Sequence, residues 1–303
     1  MCGCSVSLKV LKRGGIMMSK QVNKLPGIIA VDLDGTLFAA DHKSITPRTY
    51  DVLKRCIAGG SHLVPATGRC ESIIPMETFP SARYVISCNG GLITDSENGE
   101  ILRAMYLPRE SVRKVWELVR ERVERYELVL EFFEERDIVV EQKILDGKDR
   151  YESKIPVFHR PVIIGGKAKY VESFDKYLEE EGNRIVKINF PGKNVEQCPE
   201  IRDELLEMGL FEITSDGLNL EATFKGCNKG EALLWLSNHL GVIHSDTVAF
   251  GDGNNDLSMI HAAGYGVAMG NALGEVKEAA RYLTTSNTED GIAVFLENMF
   301  SIG

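Results

Sequence analysis

The sequence predicts an α/β fold: a parallel-sheet core interrupted by an inserted α+β domain. Three observations carry that prediction. Short apolar strands alternate with helical patterns towards both ends of the chain, in the rhythm of a parallel sheet. The early strands each end at a polar or glycine-bearing loop, as strands do at the ligand-binding rim of an open α/β sheet. Between these regions the pattern changes to paired strands with polar turns, which reads as antiparallel.

Taken in order, Gly27 to Val31, His62 to Ala66 and Tyr84 to Ser87 read as short buried strands that end at "DLDGT", "TGR" and "CNGG". From about Thr94 to Thr223, "LVLEFFEERDIVVEQ" and "LFEITSDGLNLEAT" read as hairpins turning at Glu-Arg-Asp and Ser-Asp-Gly. One apolar helix face holds Val112, Val115, Trp116, Val119 and Val123, and another holds Tyr170, Phe174, Tyr177 and Leu178. A shorter helix follows Pro199, and these helices are expected to cover one face of the sheet. The parallel rhythm returns with a helix from Lys229 to Leu240, the strand "TVAFGD", a helix from Asn255 to Ala263, the strand "GVAMG" and two closing helices. The expected division is a discontinuous core of residues 26–93 and 224–303, an insert of 94–223, and a leader of 1–25 that is disordered.

The leader lacks the continuous apolar segment of a secretory signal. One reading of "KRGGIMM" is a ribosome-binding region translated as protein, which would put the native start at Met17 or Met18. A length of 303 residues suits two domains. The 44% hydrophobic and 26% charged content is that of an ordinary globular protein. A net charge of -9 argues against nonspecific binding of nucleic acid or anionic membranes, while leaving room for a local positive or metal-bearing pocket. No apolar stretch has transmembrane length, and no obligatory protein partner is evident. The seven cysteines are scattered, which disfavours a disulfide framework and fits a cytoplasmic location. The Cys2-Gly3-Cys4 pair has no matching pair at zinc-site spacing. The six histidines lack metal-ligand spacing, no Walker A motif occurs, and the glycines of "GYGVAMG" are wrongly spaced for a dinucleotide loop.

The chemistry concentrates at the strand ends. An apolar strand ending in Asp32, with Asp34 two residues on, places carboxylates where burial is costly unless a cation or donors compensate. Such a pair can divide labour, Asp32 as nucleophile and Asp34 as proton donor and acceptor. Gly35 permits the tight turn and Thr36 can tie the loop. "GDGNND" follows another apolar strand and aims Asp252 and Asp256 at a common point, as a magnesium site requires; the same residues also suit an N-capped helix start. Thr67, with nearby amides in "TGR", and Lys229 in "NKGEAL" could bind a phosphoryl group. Lys187, Asn189 and Arg160 are polar candidates in the insert, for which surface roles are expected.

Together, "DLDGT", "TGR", the lysine of "NKGEAL" and "GDGNND" resemble the four ordered motifs of the haloacid dehalogenase superfamily, in particular its Cof-type phosphatases. The likeness spans about Ile28 to the C-terminus, and the insert resembles that subfamily's type IIB cap. The resemblance implies a Rossmann-like core, Mg²⁺ dependence and hydrolysis of small phosphorylated metabolites, often sugar phosphates. It implies Asp32 as nucleophile through an aspartyl phosphate, and Asp34 as acid and base. Phosphate-side roles fall to Thr67, Gly68, Asn89 in "CNGG", Lys229 and Asn255. The metal falls to Asp32, the Asp34 carbonyl and Asp252, with Asp256 supporting. Two other functions fit less well: a phosphotransferase of the phosphomannomutase type, and a non-enzymatic regulator.

Overall fold

A computed structural model describes residues 11–12, 15–16, 22, 24–155, 157, 159–180, 182, 184–191, 199–215 and 219–302. The chain forms two compact units: Met1–Thr67, Pro75–Val85 and Lys229–Gly303 make the first, and Gly68–Ile74 with Ile86–Asn228 the second. Much of the expected disordered leader, including Met17 and Met18, lies outside the described residues. Its described members include an antiparallel pair, Leu11–Lys12 with Gly15–Ile16, and Val22, which bridges Phe300. No helix among the described residues is long and apolar enough to cross a membrane.

The first unit contains a five-stranded parallel sheet in the spatial order Tyr282–Leu283, Tyr265–Ala268, Thr247–Gly251, Ile28–Val31, His62–Pro65. Ile28 stands opposite both Thr247 and His62, and Val31 opposite Phe250 and Pro65. Ile28, Ile29, Ala30 and Val31 are all 0% exposed, which is why this strand is an unbroken apolar run rather than an alternating one. From it the chain goes to His62–Pro65 on one side and, after the second unit, to Thr247–Gly251 on the other. The strand order therefore reverses here, and the crevice beyond the strand ends at such a point is where α/β sheets bind ligands. Pro47 opens the Pro47–Ala58 helix, where its missing N–H costs nothing. The expected helices near the C-terminal end form as Lys229–His239, Leu257–Ala262, Gly274–Ala279 and Gly291–Met299. The short Tyr282–Leu283 strand was not expected.

The second unit holds a six-stranded sheet in the order Lys169–Val171, Ile138–Glu141, Glu131–Phe133, Lys187–Pro191, Asn219–Phe224, Phe211–Ser215. Both expected hairpins form, but the Ser-Asp-Gly turn extends outside the described residues. One face packs Phe132, Val139, Ile188, Phe190 and Leu220 against the helix face of Val112, Val115, Trp116, Val119 and Val123. Three expectations need correction. Tyr170 is in a strand, not on the helix face with Phe174, because Ser173 accepts a hydrogen bond from the Lys176 amide and so starts the Phe174–Glu179 helix after it. That strand pairs parallel with Ile138–Glu141, so the sheet is mixed. The opposite face is not bare: Phe133, Ile138 and Val140 pack there with Ile144, Tyr151 and Ile163 from the short helices Gln142–Asp146, Lys148–Tyr151 and Arg160–Ile163.

Lys187 and Asn189 also depart from their expected surface roles, being 1% and 0% exposed in the central strand. Asn189 donates to Glu131 at 2.7 Å. Lys187 donates to Glu221 at 2.5 Å and to the Gly68 carbonyl at 2.6 Å, with its ammonium 4.0 Å from the centre of the Phe133 ring. These contacts compensate the burial of its charge. Arg160 instead donates to the Ile155 carbonyl at 3.0 Å.

Candidate active site

The Asp32 amide donates to the Phe250 carbonyl at 3.0 Å, continuing the sheet to the point where the chain turns. The turn is tight: the Leu37 amide returns to the Asp32 carbonyl at 3.2 Å and the Phe38 amide to Leu33 at 2.9 Å. Gly35 makes it possible. Its φ is +81°, and a Cβ there would stand 2.4 Å from Asp252 Oδ2. The Gly35 carbonyl accepts from Asn271 at 2.7 Å, and Thr36 Oγ1 donates to Asp252 Oδ1 at 2.6 Å. The first acidic motif is thereby joined to the second.

Lys229, the first residue of its helix, is 0% exposed and donates to Asp32 Oδ1 and Asp256 Oδ1, each at 2.6 Å. The other oxygen of Asp256 accepts from the amides of Asp252 and Gly253, both at 2.9 Å. Asp256 thus holds the lysine with one oxygen and the Asp252 loop with the other. Burial alone would discharge Lys229, but Asp256 and Asp32 outweigh it and hold the ammonium's pKa above the ordinary lysine value. Asp32 is raised well above the carboxylate range by burial and then by Asp256, with Lys229 only partly offsetting them. Burial likewise pushes Asp252 up to about 6, against the Thr36 hydrogen bond. The lysine has ample carboxylate around it, whereas the carboxylates are short of positive charge.

That shortage bears on a metal ion. One oxygen from each of Asp32, Asp252 and Asp256 falls in a group whose members all lie within 4.8 Å of one another. When ionised, three carboxylates outnumber the one ammonium, and an all-oxygen donor set suits a hard divalent cation such as Mg²⁺. The residues present fit the ion.

The other expected site residues divide between the units. Thr67, buried, lies just beyond Ala66, whose amide donates to the Val31 carbonyl at 2.8 Å; it therefore follows the strand adjacent to Asp32. Half-buried Asn255 lies within the Asn254–Asp256 turn. Asp34 Oδ1 is 2.9 Å from His42 Nδ1, a partner the sequence reading missed; only its place eight residues downstream of Asp34 could have suggested it. Gly68 and Asn89 belong to the second unit, where Lys187 and Glu221 bring them together: Lys187 holds the Gly68 carbonyl, and Asn89 donates to Glu221 at 2.6 Å.

A parallel sheet with carboxylates and a buried lysine gathered beyond its strand ends defines an α/β domain equipped for polar catalysis. The chain belongs to the haloacid dehalogenase-like hydrolase family, whose model matches residues 29–296. It is 29% identical over 280 residues to a pyridoxal phosphate phosphatase of Escherichia coli, covering 89% of this chain and 97% of that one. It is 27% identical over 271 residues to a 5-amino-6-(5-phospho-D-ribitylamino)uracil phosphatase of Bacillus subtilis, covering 88% and 92%. Among solved structures, a haloacid dehalogenase-like hydrolase from Bacteroides thetaiotaomicron superposes with a TM-score of 0.72 at 30% identity, covering 92% of this chain and all of that one. A sugar phosphatase of haloacid dehalogenase subclass IIB gives 0.72 at 26% identity, covering 89% and 97%.

Proposed function

We propose that this hydrolase is a Mg²⁺-dependent phosphatase of small phosphorylated metabolites, sugar phosphates among them, working through a phosphoryl group carried on Asp32. The observation that carries the reading is Lys229 bridging Asp32 and Asp256 inside a buried carboxylate group at the strand ends. Relatives named for removing phosphate from pyridoxal phosphate and from a phosphoribityl compound support the substrate class, and the subclass IIB sugar phosphatase supports the sugar phosphates.

An Asp32 carboxylate oxygen attacks phosphorus as the bond to the leaving alcohol oxygen breaks, and Asp34 gives that oxygen its proton. Asp34, now a carboxylate, takes a proton from water. The water oxygen bonds to phosphorus, the Asp32–phosphorus bond breaks, and inorganic phosphate leaves. Lys229 and Thr67 hold phosphoryl oxygens, with Asn255 nearby. Mg²⁺ would be held by Asp32, the Asp34 carbonyl and Asp252, with Asp256 supporting, and when bound supplies positive charge to the transferring group. The second unit is the proposed cap that selects the leaving group, and phosphate-side roles are proposed for Gly68 and Asn89. A reducing cytoplasm is its proposed setting, on the strength of the scattered cysteines.

The test is a panel of phosphorylated metabolites incubated with Mg²⁺ and either the wild type or Asp32→Asn. The wild type should release phosphate, and the variant should keep its circular dichroism spectrum and lose turnover. No release from any compound by the wild type overturns the reading, and unchanged turnover in the variant reassigns the nucleophile.

A further inference from the structure

Two cysteines of the second unit stand outside this chemistry. Cys70 and Cys88 are both free thiols, both 0% exposed, and members of one buried apolar cluster. The Cys88 amide donates to the carbonyl of Arg69, the residue before Cys70, at 3.0 Å, so the two backbones run side by side at this point. Ser72 Oγ donates to Cys70 Sγ at 3.5 Å. Cys88 is held at φ +52° and Asn89 at +55°, a left-handed pair of non-glycine residues. A disulfide needs neighbouring backbones, which the hydrogen bond from Cys88 to Arg69 and the shared cluster provide. The other described cysteines do not match this pair: Cys56 belongs to the first unit, and Cys227 Sγ points to the Asn89 carbonyl at 3.9 Å.

We propose that Cys70 and Cys88 are a redox-modification site that closes to an intramolecular disulfide when the protein meets a peroxide. This goes beyond the phosphatase reading and does not depend on it. Cys70 reacts first. The Ser72 hydroxyl on its sulfur at 3.5 Å favours a thiolate there, and the Cys70 pKa is lowered, by Cys88 first and against burial, while that of Cys88 is raised. The Cys70 thiolate attacks one peroxide oxygen, the O–O bond breaks, and hydroxide leaves to take up a proton as water. The Cys88 sulfur, giving up its proton, then attacks the sulfenic sulfur; the S–O bond breaks and a second water leaves. Two thiols are oxidised and one peroxide is reduced. Because both sulfurs are buried, the oxidant enters during local opening and the reaction is slow. The bond would tie Cys88–Gly90, and with it Asn89 on Glu221, to the Gly68–Ile74 segment.

The experiment incubates the full chain with hydrogen peroxide, alkylates it, and maps unreduced peptides by mass spectrometry. The expected result is a peptide pair joined through Cys70 and Cys88, released by dithiothreitol and absent from Cys70→Ser and Cys88→Ser. In Cys88→Ser, dimedone should trap Cys70 as its sulfenic acid. Both thiols remaining alkylatable in the treated wild type, Cys70 advancing to sulfinic acid without a link, or a bond from either residue to a different cysteine would each overturn the proposal. The wild-type map decides the matter even where a variant folds poorly.

Discussion

Lys229 donates to Asp32 across 2.6 Å, with the two side chains only 0% and 9% exposed. A lysine so enclosed is tolerated because Asp256 shares it, at the same distance. Removing one partner of a buried ion pair strands the other at a cost of about 3–5 kcal/mol. Lys229→Met should therefore lower the urea midpoint of unfolding by the equivalent of that loss and abolish phosphate release. An unchanged midpoint would show that Asp32 and Asp256 find other compensation.

Gly35→Ala tests the join between the acidic motifs. The added Cβ would lie 2.4 Å from Asp252 Oδ2, and φ of +81° is strained for any side chain. About 1–3 kcal/mol of strain follows. Displacing Asp252 should raise the Mg²⁺ concentration for half-maximal activity by at least ~10-fold. A metal titration of activity, beside a thermal melt, separates the two effects.

Thr36→Val keeps the volume and removes the donor to Asp252 Oδ1. The strain of the previous variant is absent here. The carboxylate stays in place without its hydroxyl partner, and Mg²⁺ affinity should fall by roughly 10–100-fold. Isothermal titration with Mg²⁺ reads this directly.

The Lys187–Glu221 pair gives the second unit a pH signature. Burial opposes ionisation of Glu221, but Lys187 outweighs it, with a further hydrogen bond from Asn89, so its pKa is lowered. The resulting stability is fully present above the unfolded glutamate value of about 4.3 and is lost as pH falls through the lower folded value. The difference in melting temperature between wild type and Glu221→Gln should be constant near neutrality and shrink below about pH 4.3. A difference that grows on acidification would contradict the assignment.

Much of the first unit was legible because its strands are buried on both faces and end in residues that apolar runs do not otherwise tolerate: Asp32 and Asp252 mark two strand tips from sequence alone. The link from Thr36 to Asp252 and the contact of His42 with Asp34 were not legible, since each depends on how a loop is folded in space. In the second unit, Tyr170 fits helical spacing with Phe174 and Tyr177, and only the cap formed by Ser173 shows that the helix starts later. The Leu92–Asp95 and Glu100–Ala104 hairpin was missed although Asn98-Gly99 lies in its turn, a dipeptide that favours hairpins. Lys187 was expected at the surface because the partners that neutralise a buried lysine come from distant segments, Glu221 and Gly68.

The separation of Asp32 from Lys229 by 197 positions gives the nascent chain a timetable. At ribosomal speeds of about 5–20 residues per second, the aspartate emerges on the order of 10–40 s before its counter-ion. During that interval the opening strand has neither Lys229 nor its Thr247–Gly251 neighbour to dock with. Assembly of the candidate site must wait until Lys229 and the Thr247–Gly251 strand have both been made, and a chaperone holding the early segment would be of most use before then.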